Sequence, residues 1–147
     1  MRPGAVWWLG IRPARHAPLV PMGRLQLDTA GGVSGDHYAG RSGTRQVTLI
    51  GADQLDAIAA FLGREGVTPE ELRRNVVVRG LNLHALKGCR VRMGTAVVEV
   101  TGECHPCSRM EQILGQGGYN AVRGHGGVTA RVVEAGEVRL GDAAERA

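Results

Sequence analysis

The sequence predicts a β-rich α+β domain: one closed or partly closed β-barrel with a few peripheral helices. Three observations carry this reading. Short runs of β-branched residues recur along the chain, at residues 46–50, 76–78, 96–101 and 128–133 among others, and strands at such close spacing are the pattern of an all-β barrel. There are 23 glycines and only 3% aromatic residues, a composition that suits many short strands joined by tight turns. Helical periodicity is confined to a few short segments. The 147 residues suit one domain with a real core, so residues 1–147 are read as a single unit.

In chain order, residues 6–11 (VWWLGI) read as a first strand, and residues 13–21, with three prolines, as a loop. Residues 24–28 alternate weakly and read as a short strand. Residues 31–40 are too glycine-rich for a regular element and form a long loop that carries Asp36 and His37. Residues 46–50 are a strand. A helix capped by Asp53 then buries Leu55, Ile58, Ala59 and Leu62. Thr68-Pro69-Glu70-Glu71 opens a second helix, with threonine as cap, proline at the first position and acids in the first turn. Residues 76–78 form a strand, 81–86 a connector, and 89–93 and 96–101 two strands around a Gly94-Thr95 turn. A third helix follows Pro106. Residues 119–123 add a helical turn, and residues 128–133 and 137–140 are the last strands, with Gly141-Asp142 ending the fold.

The chemistry concentrates in residues 101–114, TGECHPCSRMEQIL. Pro106 suits the first helical position, because its missing N–H would have no intrahelical partner there. Cys107 then falls in the first turn, where uncapped N–H groups and the helix dipole favour a thiolate. Arg109 adds a positive charge. Cys107 is therefore a candidate nucleophile or soft-metal ligand. The competing reading makes it a core residue on one helical face with Met110 and Leu114. Cys104 and Cys89 lie in or beside strands and read as structural.

The net charge is +4, and all but one of the 18 basic residues are arginine. Arginine's planar fork suits phosphate and carboxylate ligands. No dense basic run is interleaved with aromatics, which argues against nucleic acid. No run approaches a membrane span, and the N-terminal apolar stretch is too short for a signal peptide, so a cytoplasmic protein with reduced cysteines is expected. The odd cysteine count argues against a disulfide framework.

Several pieces, taken together and in order, resemble a MOSC domain, the module at the C-terminus of molybdenum-cofactor sulfurases and in free-standing bacterial proteins. They are residues 35–40 (GDHYAG), 71–78 (ELRRNVVV), 86–88 (LKG), 104–107 (CHPC), 127–133 (GVTARVV) and 138–142 (VRLGD). The resemblance implies a β-barrel and sulfur or molybdenum chemistry on one cysteine, placed by the Pro-Cys pair at Cys107. It also draws attention to Arg73, Arg74 and Asn75, which read as an anion site for the phosphate of a pterin cofactor, and to Asp36 and His37. A pocket holding Cys107, His37 and Arg74 is expected. The upstream pyridoxal-phosphate domain of full sulfurases has no counterpart in this chain, and the lone lysine, Lys87, reads as a turn residue, so no covalently bound pyridoxal phosphate is expected.

Three functions stay open at this point. In the first, Cys107 ligates the molybdenum of a pterin cofactor and N-hydroxylated compounds are reduced there, with a reductase as partner. In the second, Cys107 carries a persulfide delivered by a sulfur-donor protein. In the third, Cys104, Cys107 and histidines such as His37, His105 or His125 hold structural zinc, although no second C-x-x-C is present.

Overall fold

The computed structural model describes residues 1–37 and 43–147. Tyr38, Ala39 and Gly40 of the GDHYAG motif lie outside the described residues. Eleven strands and four helices are present among those described. The strands are β1 (Gly4–Ile11), β2 (Val20–Met22), β3 (Arg24–Asp28), β4 (Gly32–Val33), β5 (Val47–Gly51), β6 (Val76–Arg79), β7 (Arg90–Met93), β8 (Ala96–Glu103), β9 (Val128–Glu134), β10 (Gly136–Arg139) and β11 (Ala143–Arg146). The helices are α1 (Ala52–Leu62), α2 (Pro69–Leu72), α3 (Ser108–Leu114) and α4 (Gly118–Val122), with a 3-10 turn at Leu83–Leu86.

Seven strands close a barrel in the order β11-β7-β8-β9-β5-β6-β1, with β1 pairing back to β11 and β2 added outside β1. The pairs are antiparallel except β5–β6, where Leu49, Ile50 and Gly51 face Val76, Val77 and Val78 in parallel. A parallel pair needs a crossover, and α1 and α2 supply it. β10, β3 and β4 form a separate small sheet.

The period-2 alternation of strands divides the core in two. Leu49, Val76 and Val78 point into the barrel with Leu9, Met93 and Val98, whereas Ile50 and Val77 point outward beneath the helices. There they meet Leu55, Ile58, Leu72, Met110 and Val122. Both faces of β5 and β6 are thus buried, which is why these strands read as unbroken apolar runs.

The structure changes several expected details. Gly51, not Asp53, occupies the N-cap of α1, and Asp53 lies in its first turn. The Thr68 capping box is present: Glu71 N–H donates to Thr68 Oγ1 at 3.3 Å, and Thr68 N–H donates to Glu71 Oε1 at 2.9 Å. The glycine-rich loop contains the short strand β4, and the proline-rich loop ends in β2. The fold does not end at Asp142. Ala144 pairs with Gly4 on one side and Met93 on the other, so β11 is the strand that closes the barrel. No helix among the described residues is long and apolar enough to cross a membrane.

Candidate functional site

The topology gathers the chemistry at one end of the barrel. β1 runs antiparallel to β6, with Leu9 opposite Val76 and Gly10 N–H donating to Asn75 O at 2.9 Å, so the loop after Ile11 lies beside Arg73–Asn75. β8 runs antiparallel to β9, and Cys104 N–H donates to Gly127 O at 2.9 Å. The turn from Cys104 to Cys107 therefore meets the start of β9.

A pocket of about 240 Å³ forms there. Its wall holds Cys107, His16 and five arginines: Arg12, Arg15, Arg73, Arg74 and Arg109. No carboxylate is among the lining residues. Cys107 is exposed and occupies the N-cap of α3 rather than its first turn, with Pro106 before the cap rather than at the first helical position. Met110 and Leu114 are buried, so Cys107 does not share their burial. Cys104 is buried and Cys89 half-buried, and all three thiols are free.

Arg74 is the most telling member of the wall. It is 6% exposed, its Nε donates to Gly126 O at 2.8 Å, and its Nη1 donates to Leu72 O at 2.9 Å. Its Nη2 is buried without a hydrogen-bond partner. Burial lowers the pKa of this guanidinium, with the Arg12 and Arg45 charges acting in the same direction and the neighbouring Cys104 and Cys107 opposing in part. Arginine's pKa starts high enough that the charge remains. Gly126 makes room for it, since a Cβ there would lie 3.1 Å from Arg74 Nη2 and 2.5 Å from Cys104 O.

Two wall residues hold left-handed backbone without being glycine: His16 at φ 64° and Arg73 at φ 59°. They are the two non-glycine residues with positive φ among those described. Arg73 is the C-cap of α2, and its Nη1 donates to Ala17 O, which ties the loop carrying His16 to that helix end. Such conformations cost about 1–3 kcal/mol each and collect at ligand sites. The His16 imidazole has its pKa lowered chiefly by the Arg109 charge, then by desolvation, Arg15 and Arg73. This field is what an anion would enter. A second cavity of about 340 Å³ shares His16, Arg73 and Arg109 with the first and adds the apolar Pro18, Leu19 and Ile113 together with the carboxylates Glu70 and Glu71.

Asp36 and Asn75 lie behind this wall rather than on it. The Asp36 carboxylate pairs with Arg12 Nη2 at 2.9 Å and accepts from Arg12 Nε at 3.2 Å and from Arg12 N–H at 2.7 Å. Asn75 Nδ2 donates to Asp36 Oδ1 and to Gly10 O, both at 3.1 Å. Asn75 Oδ1 accepts from Arg12 Nη2, Thr48 N–H and Thr48 Oγ1. The pair thus fixes the Arg12 fork. His37 gives its backbone N–H to Arg12 O and is not among the residues described as lining the pocket. The expected trio of Cys107, His37 and Arg74 is met by Cys107 and Arg74.

The zinc reading finds no ligand set. Among the described residues no three His, Cys, Asp or Glu side chains come together to hold a metal ion. His125 instead lies 5.0 Å from the Phe61 ring and pairs with Gln54 at 2.7 Å, while His105 is exposed. Arg12, Arg15 and His16 were not legible in the sequence as site residues; the one signal was the position of Arg15 and His16 in the proline-rich loop, with Arg12 just before it.

The residues present fit an anionic pterin cofactor. Arg74 Nη2 is a buried donor in need of an acceptor, the other arginines suit phosphate, and an exposed thiol is a soft ligand.

Comparison with known proteins agrees with the architecture. YuaD from Bacillus subtilis superposes with a TM-score of 0.86 at 22% identity, over 97% of this chain and 94% of that one. YiiM from Geobacillus stearothermophilus gives 0.78 at 17% identity, over 99% and 75%. YiiM from Escherichia coli gives 0.75 at 17% identity, over 100% and 70%. At these identities the likeness is one of fold. No curated protein sequence matches. The MOSC domain model matches residues 28–145, all of the barrel except β1 and the strands and loop up to the end of β3. The chain therefore belongs to the MOSC domain family, which is associated with the molybdenum cofactor.

Proposed function

We propose that this chain, as one domain, binds an anionic molybdenum-pterin cofactor in the arginine-lined pocket, with Cys107 offering its thiolate to the metal. The observation that carries this reading is the buried Arg74 guanidinium, whose Nη2 has no partner in the same pocket as the exposed Cys107. When bound, such a cofactor supplies a metal that changes oxidation state and exchanges an oxygen atom. Arg74, Arg73, Arg15 and Arg109 hold the phosphate and other anionic groups. Arg12 is held in place by Asp36 and Asn75. The adjoining cavity has room for a small substrate against Pro18, Leu19 and Ile113. On the family resemblance alone we assign N-hydroxylated compounds as that substrate, with electrons from a reductase partner.

The test is to purify the chain from cells that make the cofactor and to measure molybdenum and oxidised pterin per chain. Both should accompany the wild type and fall together in Cys107→Ser and Arg109→Gln. Neither accompanying a folded wild type refutes the proposal.

A second reading is favoured by one observation: Cys107 is exposed while Cys104, three residues away, is buried. An exposed thiol among cations also suits a persulfide carrier that receives sulfur from a partner. Mass analysis of Cys107 for an added sulfur separates this from cofactor binding.

A further inference from the structure

We infer that the Cys107 pocket accepts sulfur directly from a small sulfur oxyanion of the thiosulfate class. This rests on the sulfur-carrier reading of Cys107 and names its donor. Three features of the pocket select that chemistry. The reactive atom is a soft sulfur nucleophile open to solvent. The wall around it is cationic, with five arginines and no carboxylate among the lining residues, so a small multiply charged anion is drawn in. Two of the wall's guanidiniums keep unmet donor capacity: Arg74 has a buried Nη2 without a partner and Arg109 a buried Nε without one. An uncharged donor or a cationic one would leave them unpaired. The positive field is also visible on His16, whose pKa is lowered first by the Arg109 charge, then by desolvation and by Arg15 and Arg73.

The step balances without a further redox partner. The Cys107 thiol loses its proton to water, and the thiolate Sγ attacks the outer sulfur of thiosulfate. The bond from that sulfur to the sulfonate sulfur breaks, and its electron pair leaves with sulfite. Cys107 is left as a persulfide: one sulfur has moved, Sγ is oxidised and the sulfonate sulfur is reduced. As charge gathers on the departing sulfite oxygens, the arginine donors strengthen their hold, which lowers the barrier. A nucleophilic acceptor such as cyanide then takes the outer sulfur as thiocyanate and restores the thiolate.

The experiment incubates the full chain with thiosulfate, reads the protein mass for one added sulfur, and follows thiocyanate after cyanide is added. The gain should map to Cys107, reverse with a thiol reductant, vanish in Cys107→Ser and persist in Cys104→Ser. Arg109 is only half-buried, so Arg109→Gln should fold; it should raise the thiosulfate concentration needed for half-maximal rate about tenfold or more, the loss expected for a charged hydrogen bond. Arg109 also contributes to the field at the thiol, so the variant's alkylation by neutral iodoacetamide is measured alongside; the loss with thiosulfate should exceed the loss with iodoacetamide, and equal losses overturn the anion-binding role. No added sulfur from thiosulfate, or an equal gain in Cys107→Ser, overturns the inference. Glutathione persulfide serves as a donor that does not need the oxyanion. If it loads Cys107 while thiosulfate does not, the donor inference falls and the carrier reading stands. If neither loads Cys107, both fall.

Discussion

Asn75→Ala should destabilise the fold by about 3–5 kcal/mol, and it should do so without acting through any ligand. Asn75 is fully buried, and its amide joins four parts of the chain. It donates to Gly10 O and Asp36 Oδ1 and accepts from Arg12 Nη2, Thr48 N–H and Thr48 Oγ1, each at 3.1–3.2 Å. Each such bond is worth about 1 kcal/mol net, but the larger cost is the set of buried groups deprived of a partner, at about 1–3 kcal/mol apiece. Alanine cannot admit the waters that would replace the amide without opening the end of β1. A domain of this size has about 5–15 kcal/mol in all, so the loss is a large share of it. The assay is urea unfolding followed by far-UV circular dichroism, comparing midpoints at equal slope. An unchanged midpoint together with weakened binding of sulfate to the arginine pocket would refute the reasoning, because Asn75 would then be touching the ligand rather than holding Arg12 behind it.

Two further predictions concern the wall itself. His16 should titrate below its ordinary value of 6.5 in the free protein and rise when sulfate, which stays dianionic across this range, enters the pocket; the imidazole proton shifts in NMR report both. Because the folded state binds fewer protons here than the unfolded one, this residue removes stability as the pH falls through 6.5, and sulfate should restore part of it. Gly126→Ala should cost about 1–3 kcal/mol by overpacking, since the new Cβ would lie 2.5 Å from Cys104 O. It should also displace Arg74 and weaken sulfate binding, and an unchanged sulfate affinity would mean that Arg74 does not hold the anion.

The barrel was legible because its strands obey local rules. Val76 to Val78 are β-branched, as are Val97, Val98 and Val100 in the next long run, and glycines mark the turns between strands. The α2 helix announced itself by Thr68 and Glu71, which form the capping box, and by Pro69 at its first position. β11 was not legible. Ala143-Ala144-Glu145-Arg146 has little strand propensity, and it is extended because β1 and β7 leave a gap that it fills by pairing on both sides. Closure is a property of the whole barrel, so no local window reveals it. The cap of α1 was misplaced for a related reason. Gly51 ends β5 in extended backbone at ψ 142° and serves as the cap through geometry, not through its side chain.

The site was half legible for a physical reason. Cys107, Arg73 and Arg74 stand in short motifs, whereas Arg12, Arg15 and His16 join them only because β1 and β6 run antiparallel and bring two distant segments to one end of the barrel. What separates wall from support is hydrogen-bond accounting. Buried polar atoms in folded proteins are nearly always partnered, so an exception calls for a cause. The Asp36 and Asn75 side chains are engaged by Arg12, Thr48 and Gly10, as befits a brace. Arg74 lies beside them, equally buried, yet keeps one nitrogen without an acceptor. The same pocket holds both left-handed non-glycine residues described and the exposed thiol. The unpartnered nitrogen and the two left-handed residues each lower stability on their own, and their clustering beside the exposed thiol is what supports the proposal that an anion and a soft partner for Cys107 meet in this pocket.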